Sequence, residues 1–216
     1  MKEYWENKFR EINLMWGMEP AESALYALDF FQSQNIRKIL IPGIGYGRNA
    51  SVFYKNGFDI TGIEISGYAI EMARQSLGLP FTIHHGSVND MPFDNETYNG
   101  IFCYALLHLL NKQERIQFIR NCFNQLNTGG YLIFSVVSKS SSMYGQGNLL
   151  SKNRYEIMKG LNVFYYDLES ARSEFLKYGL VETFELDEPI KFMENEPPMK
   201  MILIKCKNTT DKKTFG

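Results

Sequence analysis

The sequence predicts an α/β protein built on a mostly parallel sheet covered by helices on both faces. Three observations predict it. Short apolar runs alternate with segments of helical period from Arg37 to Val137. A glycine cluster, Gly43-Ile44-Gly45-Tyr46-Gly47, falls between the first such run and a helix. The chain closes on two strand-like runs with no helix between them.

The elements follow in order. Glu3 to Gln34 is amphipathic, with Trp5, Phe9, Ile12 and Met15 at helical spacing, and a second helix starts near Glu22 and passes through Leu25, Leu28 and Phe31. Arg37 to Ile41 is a short apolar run ending at Pro42, as a buried parallel strand ends. A helix from Arg48 to Asn56 stops at Gly57, a residue suited to the position after a helix. Phe58 to Glu64 is the second strand, and a helix opens at Ser66 or Gly67 and includes Ile70, Met72 and Ala73. Phe81 to His85 is the third strand and Tyr98 to Tyr104 the fourth. Lys112 to Leu126 is a helix, Asn127 to Gly130 a turn, and Tyr131 to Val137 the fifth strand. After a helix at Leu168 to Tyr178, the runs Leu180–Leu186 and Lys200–Lys205 are most simply an antiparallel pair at one end of the sheet.

Composition narrows the function classes. The 216 residues suit one domain able to bury a core without staples. Lys plus Arg number 23 against 24 Asp plus Glu, a formal net charge of -1, so no basic field favours nucleic acid. Cys103, Cys122 and Cys206, odd in number and scattered, form neither a disulfide framework nor a metal cluster, and a reduced cytoplasmic setting is expected. The charged opening MKEYWENKFREINLMW predicts no signal-peptide core, and no apolar run approaches the roughly 18 residues of a membrane span.

The glycine cluster lets a ligand approach the backbone just before a helix N-terminus whose N–H groups are free, although a plain flexible turn has the same composition. The dinucleotide fingerprint would require glycine at residue 48, where Arg48 stands, which disfavours a nicotinamide-dependent oxidoreductase. Glu64 closes the second strand, where a carboxylate can accept hydrogen bonds from the two hydroxyls of a ribose; a solvated helix-capping acid is the alternative.

ILIPGIGYGRNA, DITGIEISGYAIEMAR, HHGSVNDMPFDNETYNGIFCYALLHLL and LNTGGYLIFSV, in that order, resemble the successive motifs of class I S-adenosylmethionine-dependent methyltransferases. The likeness covers roughly residues 36–137, with a weaker part over NVFYYDLESARSEFLKYGLVE. It implies a Rossmann-like, doubly wound seven-stranded sheet, mostly parallel with the last strand antiparallel, and S-adenosylmethionine as methyl donor, S-adenosylhomocysteine as product and no metal. By position, Gly43, Gly45 and Gly47 match the loop around the methionine part and ribose. Glu64 matches the ribose ligand and Ile65 the apolar residue beside the adenine. Ser87 and Val88 match the pair that reads the adenine edge, and Cys103 and Tyr104 the end of the fourth strand, whose backbone meets the donor's amino group in the family. Three acids usual in the family are replaced, by Ile41, Ser87 and Asn99. Ile-Pro before the glycines, with GIEIS, resembles the thiopurine and tellurite methyltransferase branches, which act on small thiol, selenium or tellurium nucleophiles.

Methyl transfer from a sulfonium is an in-line displacement, so alignment supplies much of the acceleration and a base is needed only for an acceptor that arrives protonated. His108, just past the fourth strand, is the one candidate base; a packed loop histidine is the alternative. His84 and His85 are read as structural. Trp16, in the segment Trp16 to Pro20, is either a contact of the methyl donor or a core aromatic. The organisation expected is a helical cap over residues 1–35, a methyltransferase domain over 36–207 with a lid-like insertion at about 138–167, and a frayed tail over 208–216. In that insertion Met143, Tyr144, Arg154 and Tyr155 are available to an acceptor. The function expected is methylation of a small molecule by a monomer or homodimer, without nucleic-acid or membrane partners. An RNA or protein methyltransferase and a non-catalytic S-adenosylmethionine-binding module are the alternatives.

Overall fold

The computed structural model describes residues 2–75, 78–189 and 197–210. The chain runs α1 (Lys2–Glu11), α2 (Glu22–Ser33), β1 (Lys38–Pro42), α3 (Ala50–Lys55), β2 (Asp59–Glu64), α4 (Gly67–Gln75), β3 (Thr82–His85), β4 (Tyr98–Tyr104), α5 (Lys112–Gln125), β5 (Leu126–Val137), β6 (Asn148–Ser151), β7 (Arg154–Met158), β8 (Leu161–Phe164), α6 (Leu168–Phe175), β9 (Leu180–Glu188) and β10 (Met199–Lys207). Among the described residues the main sheet has seven strands in the order β3-β2-β1-β4-β5-β10-β9.

The strands β1 to β5 are parallel. The final strand β10 slots between β5 and β9 and is antiparallel to both, with Met201 opposite Val137 and Lys207 opposite Tyr131. This is the Rossmann-like, mostly parallel sheet with an antiparallel last strand that the motifs imply. Strand order reverses across β1, so the crevice beyond the carboxyl ends of β1 and β4 is the topological switch point where ligands of such sheets bind.

The period-2 pattern explains two packed faces. Ile39, Ile41, Phe102 and Ile133 point toward α2 and α3, packing with Phe31, Phe53 and Phe58. Their neighbours Leu40, Ile101, Cys103, Leu132 and Phe134 point the other way, into a cluster with Phe118 and Ile119 of α5 and Phe175 of α6. Helix α5 starts in a capping box: Asn111 Oδ1 accepts the N–H groups of Gln113 and Glu114, and Glu114 Oε2 accepts the N–H of Asn111 at 2.7 Å. Helix α2 has no side-chain cap of its own. Glu188, the last residue of β9, supplies one, accepting from Glu22 N (2.6 Å), Ser23 N (3.1 Å) and Ser23 Oγ (2.8 Å).

Two elements differ from expectation. Strand β5 begins at Leu126 because the segment expected as a free turn is paired: Gly129 N–H donates to Asn208 O and Asn208 N–H to Gly130 O. Asn208 is therefore buried, with Nδ2 on Leu126 O at 2.9 Å, instead of opening a frayed tail; residues 211–216 lie outside the described residues. The lid-like insertion expected at about 138–167 contains a three-stranded antiparallel sheet, β6-β7-β8, that the sequence reading does not resolve. Asn153 (φ 64°) turns the chain between β6 and β7, a conformation asparagine tolerates. Among the described residues, no helix is long and apolar enough to cross a membrane.

Candidate active site

A cavity of about 530 Å³ opens at the carboxyl edge of the sheet. The glycine bend forms one wall. Gly43, Gly45 and Gly47 all have left-handed φ (69°, 58° and 88°). At Gly43 the requirement is double, since a Cβ there would stand 2.9 Å from Leu106 Cδ2 of the segment after β4. Gly43 and Ile44 N–H groups both donate to Ile63 O, folding the bend onto the end of β2. Gly47 does not line the cavity; its carbonyl accepts from Ser51 N at the start of α3.

Glu64 sits buried on that wall. Its Oε2 accepts Gly45 N–H at 2.8 Å, and its Oε1 accepts Ile65 N–H (2.8 Å) and Ser66 N–H (2.9 Å). Burial pushes the carboxyl pKa up, opposed by the three N–H groups that favour the anion. A carboxylate offers about four lone-pair directions, so roughly one, on Oε2, is left for a ligand hydroxyl. Where two sugar hydroxyls were expected to meet this acid, the backbone has taken most of its capacity.

Of the other residues matched by the motifs, Ile65, Ser87, Val88 and Tyr104 line the cavity, and Trp16, 42% exposed, does so too. Cys103 and His108 do not. On a strand, side chains alternate, so when Tyr104 faces the cavity Cys103 faces the core, fully buried. His108 is buried behind the wall, where its Nδ1 accepts Val137 N–H at 3.2 Å and burial lowers its pKa to about 3. An imidazole that stays neutral and faces backbone is not placed to take a proton from an acceptor. Of the two expectations for His108, candidate base and packed loop histidine, this geometry favours the second. His84 bonds Asp94 Oδ2 at 2.9 Å, and neither His84 nor His85 lines the cavity.

Several wall residues were not singled out from the sequence. Tyr46 and Arg48, inside the glycine motif, reach back to the segment between α1 and α2. Tyr46 Oη donates to Gly17 O (2.6 Å) and accepts Trp16 N–H (3.2 Å), while Arg48 Nη1 donates to Trp16 O (2.8 Å) and its guanidinium lies 5.6 Å from the Tyr104 ring centroid. Helix α1 is anchored next door, Glu6 Oε2 accepting from Ser66 Oγ (2.8 Å) and Tyr68 N (3.3 Å), and Phe9 is buried against Tyr46. Ala105, directly after β4, holds φ at 53°, strained for a residue with a Cβ. From the insertion come Gly160 and Asn162, beside Arg154, which the sequence offers to an acceptor. Arg154 Nη1 donates to Leu110 O at 2.6 Å and Nη2 to Leu109 O at 3.3 Å, and burial lowers its pKa. Met143 and Tyr144 stay outside the cavity, where Tyr144 packs edge-on to Tyr155 and Tyr165. Asn89 and Asn162 line the cavity, but their Oδ1 atoms are buried away from it and have no hydrogen-bond partner among the described residues.

A doubly wound sheet in this order, with a glycine bend after β1 bonded to a buried acid at the end of β2, is the arrangement that the resemblance to class I S-adenosylmethionine-dependent methyltransferases implies. Residues 39–130 match the methyltransferase domain family. Over 112 residues the chain is 26% identical to the ubiquinone biosynthesis O-methyltransferase of Vibrio parahaemolyticus, covering 50% of this chain and 47% of that protein. It thus spans about half the length of this curated relative. Among solved structures, one determined in work on the conversion of a disulfide bond into a thioacetal group during echinomycin biosynthesis superposes with a TM-score of 0.75 at 15% identity, covering 99% of this chain and 94% of the other. The 1,6-didemethyltoxoflavin-N1-methyltransferase of Burkholderia thailandensis, solved with 1,6-didemethyltoxoflavin and S-adenosylhomocysteine, gives a TM-score of 0.73 at 13% identity, covering 97% and 87%. At such identities these structures bear on the fold alone.

Proposed function

We propose that the protein transfers the methyl group of S-adenosylmethionine to a small molecule held in the same cavity. The observation that carries this reading is the enclosure of one cavity by three parts of the chain: the glycine bend with Glu64, the N-terminal segment with Trp5, Phe9 and Trp16, and the insertion with Arg154, Gly160 and Asn162. Such a cavity suits a nucleoside and a small acceptor rather than an RNA helix or a protein surface.

The residues present fit the methyl donor. Glu64 keeps an acceptor direction for a ribose hydroxyl, and Ile65, Val88 and Leu106 offer apolar surface to a base. When bound, the donor supplies a sulfonium methyl: the acceptor's lone pair forms the new bond as the carbon–sulfur bond breaks, its electrons passing to sulfur to leave S-adenosylhomocysteine. The chain's own part is to align and to exclude water. Glu64 and Glu114 already accept protein N–H groups, and burial keeps the Tyr104 hydroxyl protonated. Acceptors that ionise near neutrality, thiols and acidic phenols among them, therefore match the site best. We place the reaction in the reduced cytoplasm, in keeping with three buried, unpaired cysteines, and carried out by a monomer or homodimer.

The test is consumption of S-adenosylmethionine with a panel of thiols, phenols, amines and carboxylates, beside calorimetry with S-adenosylhomocysteine. Methylated product from an ionisable small acceptor is expected. Tight nucleoside binding without turnover on any member would instead indicate a binding module, and an absence of binding would remove the reading altogether.

A further inference from the structure

We propose that the acceptor carries a carboxylate apart from the atom that is methylated, and that Arg154 of the insertion holds that carboxylate. The inference rests on the methyl-transfer reading above and deepens it by naming the substrate class, thiol or phenol acids.

Arg154 opens β7 and lines the cavity from the insertion, far along the chain from the glycine bend and Glu64. Its guanidinium is held in place. Nη1 donates to Leu110 O at 2.6 Å and Nη2 to Leu109 O at 3.3 Å, which fixes the charge beside the segment after β4. A guanidinium has five N–H donors and no acceptor. These two bonds leave Nε–H and one N–H on each terminal nitrogen without a protein acceptor among the described residues.

The charge is unmatched as well. Arg115 shares the Leu110 oxygen, at 3.3 Å, but is answered by Glu174 at 3.1 Å. Arg154 forms no ion pair with any carboxylate among the described residues. Glu114 acts on it from further off, with Oε1 and Oε2 taken by Asn89 Nδ2 and Asn111 N–H. Burial, and then the Arg115 charge, lower the Arg154 pKa, so the cation has lost hydration and gained a like-charged neighbour. A bound anion offsets both. Two carbonyl oxygens explain a clasp between the insertion and Leu109–Leu110; they do not explain a permanent charge in the wall of a cavity.

One uncompensated positive charge is matched by one negative charge, and the coplanar N–H groups of a guanidinium fit the two oxygens of a carboxylate. A phosphate dianion brings twice that charge. Arg48, the other arginine of the wall, is committed to Trp16 O and the Tyr104 ring beside the glycine bend. An acceptor anchored from the insertion by its carboxylate keeps its thiolate or phenolate free to approach the methyl carbon.

The experiment measures kcat/KM for the positional isomers of mercaptobenzoate and hydroxybenzoate against their methyl esters, with mercaptophenyl phosphates as the phosphate-bearing members. Calorimetry of the same compounds with protein loaded with S-adenosylhomocysteine reads the preference without turnover. Wild-type protein is expected to favour the best acid over its ester by on the order of 30-fold, through KM, the size of a charge-assisted hydrogen bond lost from a part-buried site. Arg154→Met should bring that ratio within a few-fold while S-adenosylhomocysteine affinity stays within about twofold of wild type. Arg154→Lys keeps the charge without the planar fork and should fall between. Arg154→Gln retains a donor for one of the two carbonyls, so it serves if thermal unfolding shows that the methionine variant loosens the insertion. Lys152→Met removes a neighbouring exposed cation and should leave the ratio unchanged. Equal handling of acids and esters by wild-type protein overturns the assignment. So does a ratio that survives in both Arg154→Met and Arg154→Gln, one that is lost in Lys152→Met, or a stronger preference for the phosphates. If wild-type protein does not bind S-adenosylhomocysteine, the methyl-transfer reading fails and takes this one with it; if it does, and acids and esters are treated alike, only the role of Arg154 fails.

Discussion

Arg48 Nη1 donates to the main-chain oxygen of Trp16 at 2.8 Å, so the residue that follows the glycine bend also holds down the segment between the first two helices. Tyr46 does the same through Gly17 O. One short motif thus shapes the floor of the cavity and fastens part of its roof.

Replacing Arg48 by Met should release that roof more than it unfolds the protein. We expect S-adenosylhomocysteine affinity to fall about tenfold, the worth of one charge-assisted hydrogen bond of roughly 1.5 kcal/mol, with cleavage by an added protease rising between Trp16 and Pro20. Calorimetry and timed proteolysis check it; unchanged cleavage with lost affinity would mean that Arg48 contacts the ligand directly.

Glu188→Ala should be among the most damaging changes far from the cavity. It strips a buried carboxylate from Glu22 N, Ser23 N and Ser23 Oγ and uncaps α2. A loss of about 2–4 kcal/mol is expected, a fall in Tm of several degrees for a chain this long, with binding of S-adenosylhomocysteine retained in the folded fraction.

Two glycines with similar dihedrals should part company. Gly57 (φ 75°) has open space where a Cβ would go, so Gly57→Ala costs about 1 kcal/mol of backbone strain and leaves turnover intact. Gly43→Ala adds a 2.9 Å approach to Leu106 and displaces the bend itself, so turnover should drop at least tenfold. Paired melting curves and rates separate the two effects.

His108 predicts a pH dependence of stability. Its folded pKa, about 3, lies below the ordinary value of 6.5, so between these limits the unfolded chain binds more protons than the folded one. Stability from this group is present above pH 6.5 and is lost as pH falls toward 3, with a slope of at most about 1.4 kcal/mol per pH unit. His108→Gln, which retains an acceptor for Val137 N–H, should flatten that slope and leave the pH profile of turnover unchanged. A shifted turnover profile would return His108 to the chemistry.

The sheet was legible because its strands carry their own signal: Ile39, Leu40 and Ile41 must be buried on both sides, and the glycines after Pro42 admit few alternatives. The insertion was not, because β6 to β8 are short and pair only with one another, and every residue of β6 is exposed, so no apolar run marks them. Its alternation of Tyr155, Ile157, Leu161 and Val163 was the available clue. Motif position named Glu64 and Val88, which line the cavity, and Cys103, whose side chain faces the core because neighbours on a strand alternate. The orientation of Asn89 is set by Glu114 and that of Trp16 by Tyr46, partners 25 and 30 residues away that no local pattern links.

Because β10 is an interior member of the sheet, β9 has no neighbour until the final strand arrives. During synthesis the acid that fastens α2 must therefore wait for β10 to emerge and pair, so a helix made early is capped late. A truncation just short of Met199 would split the molecule through its middle instead of trimming its rim.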